Sequence, residues 1–162
     1  MKKEIVPLEF LVFQGDEELD ANDSLLMQIA SKAAEDAYAP YSRFKVGAAV
    51  LLDNGEIITG NNQENPAYPS GLCAERVALF YAMSKFPGVG IKAVAITATS
   101  LIGVVDKPVP PCGACRQVMA DFENRSGIPM RIIMRGQQGA VMICEGMNML
   151  LPLSFIDEYL PK

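Results

Sequence analysis

Four residues, Gly136 to Gly139 (GQQG), separate two apolar segments, 130–135 (MRIIMR) and 140–145 (AVMICE). Each segment has the length and composition of a buried strand. A parallel return needs a crossover of a dozen or more residues, so strands joined this tightly run antiparallel. Upstream, 91–99 (IKAVAITAT) is a further strand. A helical segment, about 113–123, lies between it and MRIIMR, with Cys115, Val118, Met119 and Phe122 on one stripe. Strands joined through a helix are parallel neighbours. The chain must therefore build a mixed sheet.

The rest of the sequence extends this pattern. FKVGAAVLL (44–52) and EIITGN (56–61) flank Asp53-Asn54-Gly55, a strong hairpin turn because Asn-Gly accepts positive φ. A first helix is expected from Asp23 or Ser24, either of which can cap it, to just before Pro40. A second is expected from about Cys73 to Lys85, stopped by Pro87 and Gly88. The order α, β-hairpin, α, β, α, β, β defines an α/β protein with a five-stranded mixed sheet flanked by helices, the last two strands antiparallel. IVPLEFLVF (5–13) has strand composition, but Pro7 confines it to an edge or an extension. We read residues 1–22 as an N-terminal extension and 23–162 as one domain. The tail LLPLSFIDEYLPK forms short helical or irregular pieces.

No apolar run reaches the roughly 20 residues of a membrane span. The opening MKKEIVPLEF lacks the apolar region and small-residue site of a signal peptide, so a cytoplasmic protein is expected. Thiols stay reduced in that compartment. The net charge is −5, and no Lys/Arg cluster exceeds two residues. Binding a phosphate backbone needs clustered positive charge. The expected partner is a small molecule, with no nucleic acid and no membrane.

The chemistry sits in the cysteines. PPCGACRQVM (110–119) holds Cys112 and Cys115 at C-x-x-C spacing, and the chain contains no histidine. Any further metal ligand therefore cannot be an imidazole. Cys73 begins the second helix, and Cys112 and Cys115 begin the third. Helix N-termini lower thiol pKa values and stabilise thiolates. Two helices separated by a strand bring their N-termini to one edge of the sheet, where the three thiols converge. Cys144, in an apolar strand, could complete a four-cysteine structural site only if a strand at the far edge reached the helix N-termini, so it is expected to be buried and inert. Three protein ligands leave a fourth position open, the mark of a catalytic zinc. Glu75 lies two residues after Cys73, on a first turn facing the same position. Alone it would only complement the helix dipole.

With Cys73-Ala74-Glu75 (CAE) followed by PCGAC, the chain resembles the zinc-dependent cytidine deaminases in their three-cysteine form. YAPYSRFKVGAAV, GNNQEN, YPSGLCAER, PPCGACRQVMADF and LLPLSF are similar to family segments in family order, across about residues 24–155. The resemblance implies a three-layer fold and one Zn²⁺ on Cys73, Cys112 and Cys115. It implies hydrolytic deamination of cytidine and 2'-deoxycytidine, with ammonia released, in pyrimidine salvage. Glu75 would shuttle protons to ring N3 and the departing amine.

The remaining roles also follow from the resemblance. Asn62 and Glu64 would bind the ribose hydroxyls, Phe44 would lie beside the nucleoside, and the backbone of Ala74 and Pro111 would contact the base. Tyr68 and Phe155 would be lent to neighbours in a homotetramer. Arg76 would hydrogen-bond the ligand sulfurs and offset the charge of three thiolates. Arg116 is read as a solvated helix face. Pro66 stands where relatives usually have alanine, and proline offers no N–H to a sugar.

Three competing readings explain less. A C-x-x-C redox or zinc module leaves CAE and the Asn-Gln-Glu run as coincidences. A deaminase of another cytosine nucleoside, such as blasticidin, lacks the ribose pair. Nucleic-acid-editing relatives usually carry a helix where GQQG stands.

Overall fold

The computed structural model describes residues 1–161. Nine main elements follow one another: β1 (Leu11–Phe13), α1 (Ala21–Glu35), β2 (Phe44–Leu52), β3 (Ile57–Asn61), α2 (Ala74–Lys85), β4 (Ile91–Ser100), α3 (Gly113–Ser126), β5 (Arg131–Arg135) and β6 (Val141–Glu145). The strands form one sheet in the order β1-β6-β5-β4-β2-β3. β4 and β5, joined through α3, are parallel. β5 and β6, joined by GQQG, are antiparallel. The strand–helix–strand and tight-hairpin arguments both describe the observed topology.

The sheet has six strands where the sequence suggested five. Leu11–Phe13 pairs antiparallel with β6, Leu11 opposite Ile143 and Phe13 opposite Val141. Pro7 lies before the paired residues, so its missing N–H costs this ladder nothing. The extension is also held by an ion pair between Asp16 and Arg135 of β5.

α1 starts earlier than its composition suggests. Asp20 is the cap, accepting from the backbone N–H groups of Asn22 and Asp23 at 2.9 Å each. Asp23 instead turns inward, buried, and takes a two-pronged contact from Arg131 of β5. A long-range ion pair thus outcompeted local capping for this carboxylate.

The molecule has three layers. On one face, Leu26, Met27 and Ala30 of α1 pack on Ala49, Ala95, Ile133 and Ile143. On the other, α2 and α3 bring Ala78, Leu79, Met119 and Phe122 against Val50, Val94, Ile96 and Ile132. Small residues set the spacing. Gly60 of β3 lies against Ala74 and Ala78, and Gly47 of β2 lies against Ala30 and Ala34. The close approach brings the N-terminus of α2 down onto the sheet. No helix among the described residues is long and apolar enough to cross a membrane.

Candidate metal centre and active site

Cys73 is the N-cap of α2 and Cys112 the N-cap of α3, with Cys115 in the first turn of α3. The two helices flank the same face of the sheet, and their starts meet. Cys73 Sγ lies 3.7 Å from Cys112 Sγ, which lies 3.5 Å from Cys115 Sγ. All three sulfurs fall within 4.8 Å of one another, the one such metal-ligand cluster among the described residues. A tetrahedral zinc at about 2.3 Å from each sulfur requires edges of about 3.8 Å. The donor set and its spacing therefore fit zinc with small adjustments.

Burial grades the three thiols. Cys115 is buried, Cys73 partly so, and Cys112 is exposed. Of the neighbouring pair Cys73 and Cys115, Cys73 is the thiol whose pKa is lowered. A hydrogen bond from the Cys115 thiol, then the Arg76 guanidinium and Cys112, draw its pKa down to about 5. The same bond to Cys73, with burial, drives Cys115 upward. Metal binding deprotonates all ligating thiols. Arg76 Nη2 reaches Cys73 Sγ at 3.9 Å, while its buried Nε has no partner. An unspent donor on a cation beside the thiols suits a site that gathers negative charge.

Cys73 and Cys112 open onto a cavity of 440 Å³. Asn62, Glu64, Tyr68, Ala74, Glu75 and Arg76 line it beside Cys73 and Cys112. Glu75 is buried, and that burial, then the neighbouring Cys73 charge, raises its pKa above the usual carboxylate range. Glu64 Oε2 accepts from the backbone N–H groups of Tyr41 at 2.9 Å and Ser42 at 3.2 Å. Asn62 braces the start of β2: its Oδ1 accepts from Val46 N–H at 2.7 Å, and its Nδ2 donates to the Phe44 carbonyl at 2.9 Å.

Other expected residues lie off the cavity wall. Phe44 is half-buried at the start of β2. Pro111 is buried immediately before Cys112, its carbonyl accepting from Arg116. Phe155 is exposed, its ring 5.9 Å from that of Tyr159. Tyr41, Val46, Ile96, Val109 and Pro110 also line the cavity. Tyr41 stands edge-on to Tyr68 at 6.5 Å between ring centroids. Its signal was within the YAPYS segment. Ile96 had none, since an apolar strand residue reads as core. Cys144 lies apart in the sheet core, its thiol pushed up to about 11 by burial.

Arg116 is not a solvated helix face. It is half-buried and donates from Nε to the Pro111 carbonyl at 2.8 Å and from Nη1 to the Leu150 carbonyl at 2.9 Å. The returning C-terminal segment covers this face of α3, which helical spacing alone does not reveal.

Residues 20–128 match the family described as the cytidine and deoxycytidylate deaminase zinc-binding region. The chain is 50% identical over 98 residues to a cytidine deaminase of Halalkalibacterium halodurans, covering 60% of this chain and 70% of that one. It is 40% identical over 102 residues to the cytidine deaminase of Mycobacterium tuberculosis, covering 63% and 72%. The crystal structure of cytidine deaminase from Burkholderia pseudomallei superposes with a TM-score of 0.70 at 38% identity, covering 81% of this chain and 97% of that one. With two helix-capping cysteine segments and a buried Glu75 on one cavity, the chain belongs to this zinc-binding deaminase family.

Proposed function

We propose that this chain is a zinc-dependent enzyme that hydrolyses the 4-amino group of cytidine and 2'-deoxycytidine. The products are uridine or 2'-deoxyuridine and ammonia, a step of pyrimidine salvage. The observation that carries the reading is the meeting of a buried carboxyl, Glu75, with a cluster of three helix-start thiols, two of which, Cys73 and Cys112, line the same cavity as Glu75. Bound zinc supplies Lewis-acid activation of a water near neutral pH. Glu75 takes a proton from the attacking water and delivers protons to ring N3 and to the leaving 4-amino nitrogen. Its raised pKa suits a group that alternates between base and acid. Arg76 offsets thiolate charge through its contact with Cys73.

Glu64 and Asn62 select the sugar. Both backbone bonds to Glu64 fall on Oε2, leaving Oε1 for a ribose hydroxyl. Asn62 keeps a second lone pair and a second N–H beyond its two backbone bonds. The base lies against the Ala74 and Pro111 backbone, with Phe44 behind the cavity wall. Residues 23–162 form the catalytic domain and 1–22 an N-terminal extension, of which Leu11–Phe13 pairs with the sheet edge. Tyr68 and Phe155, both exposed in the single chain, complete sites across the subunit boundaries of a homotetramer. Four free cysteines suit a reducing, cytoplasmic setting.

The test is ultraviolet monitoring of cytidine by purified protein of measured zinc content. One zinc per chain and one ammonia per cytidine consumed are expected. Zinc-loaded protein that leaves cytidine and 2'-deoxycytidine unchanged would overturn the reading.

A further inference from the structure

Arg116 stands four residues after Cys112 in α3. Its backbone N–H donates to the Cys112 carbonyl at 2.9 Å. Its Nε donates to the Pro111 carbonyl at 2.8 Å. One residue therefore grips both peptide units that flank Cys112. Its Nη1 is anchored in turn on the carbonyl of Leu150, itself buried.

The grip falls where the chain is otherwise least determined. Cys112 is the exposed member of the thiol cluster, so packing does little to hold it. Pro110 and Pro111 fix their own φ angles, and Pro111 also keeps Pro110 extended. The soft torsion left before Cys112 is ψ of Pro111. The Pro111 carbonyl and the Cys112 nitrogen share one rigid peptide plane. A hydrogen bond to that carbonyl therefore sets the torsion and the origin of the Cys112 side chain, and the bond to the Cys112 carbonyl restrains its direction.

We propose that Arg116 is a positioning residue for the metal centre, a clamp that holds Cys112 in register with Cys73 and Cys115. The inference rests on the reading of these three thiols as zinc ligands. A clamp needs the planar fork of a guanidinium to bridge two carbonyls, which an ammonium cannot reproduce. A merely electrostatic role would be satisfied by either cation.

The test loads wild type, Arg116→Lys and Arg116→Gln with Co²⁺. It records the thiolate-to-cobalt absorption bands and the rate of metal release to a chelator. Ile143→Val, a core truncation on the opposite face of the sheet, controls for general loss of stability. Wild type and Ile143→Val are expected to share one spectrum and one release rate. Both Arg116 variants are expected to bind one Co²⁺ per chain with altered bands and to release it about 10-fold faster or more. Arg116→Lys keeps the stem and the charge, so it carries the test alone should Arg116→Gln not fold. An Arg116→Lys protein matching wild type in spectrum and release would overturn the clamp, as would equally fast release from Ile143→Val. A wild-type protein without thiolate–cobalt bands would instead defeat the underlying ligand reading, and the clamp with it.

Discussion

Gly60 of β3 lies so close to Ala78 of α2 that a methyl group on Gly60 would sit 2.6 Å from the Ala78 nitrogen. The Ala74 carbonyl oxygen would be 2.5 Å away. Both are backbone atoms of the helix that begins with Cys73 and carries Glu75, so relief requires moving α2. Gly60→Ala is expected to cost about 1–3 kcal/mol through overpacking and to weaken zinc retention. Gly103→Ala, where a methyl group meets open space, is expected to stay within about 0.5 kcal/mol of wild type. Urea unfolding and zinc analysis of both variants check this. A folded Gly60→Ala protein that keeps its zinc affinity would show that the contact does not place the site.

Cys144 and Cys73 should separate under substitution. Cys144 is buried among sheet and α3 side chains, away from the other sulfurs. Cys144→Ala is expected to keep one zinc per chain, and Cys73→Ala to lose it. Metal analysis after gel filtration distinguishes them, and the reverse pattern would refute the ligand assignment.

Glu64 gives a pH dependence of defined sign. Hydrogen bonding from the Ser42 side chain, then from the Tyr41 and Ser42 backbone, holds its carboxyl below the usual glutamate range. A carboxyl with a depressed folded-state pKa stabilises the fold above its unfolded pKa, and that stability is lost as pH falls through the folded value. The stability difference between wild type and Glu64→Gln should therefore be level above about pH 5 and shrink on acidification. Denaturation curves from pH 7 to pH 3 test this, and a difference that grows on acidification contradicts the sign.

Glu75→Gln tests the proton shuttle. Glutamine preserves shape but carries no titratable proton. Zinc content should be retained while turnover falls by at least the roughly 10²–10⁴-fold typical of general acid–base catalysis. A variant retaining more than about a tenth of the rate would exclude the role.

These expectations draw unequally on sequence and structure. The parallel β4–β5 pair, the antiparallel β6 and the thiol-bearing helix starts were legible because connection length and capping position are local properties. β1 was legible as an edge strand or an extension, since Pro7 rules out the sheet interior, but its pairing with β6 was not. The capping role of Asp20 was missed because Asp23 is an equally good cap until Arg131, 108 residues away, claims it. Arg116 was misread for the same reason: its partner Leu150 lies 34 residues downstream. The double bracing of β2 by Asn62 was invisible, since Asn-Gln-Glu reads as a turn or as a sugar contact, not as a backbone splint. Long-range polar contacts leave no periodic trace in the sequence.

The last prediction concerns subunit sharing. In the single chain Phe155 lies outside the cavity, with its carbonyl held by Gln117 Nε2 at 2.6 Å. Asn124 of α3 ties the same tail through Asp157 at 2.8 Å. The tail is thus fastened to its own α3 while the Phe155 ring stays exposed, an arrangement that suits donation to a neighbour. Chains carrying Phe155→Ala keep Glu75, and chains carrying Glu75→Gln keep Phe155. Each assembly alone should be nearly inactive. Co-assembled, they should form some sites with Glu75 from one chain and Phe155 from the other, and so regain part of the wild-type rate. Light scattering should give four chains per particle. A fully active monomer, or mixed tetramers with no recovered turnover, would confine Phe155 to its own subunit.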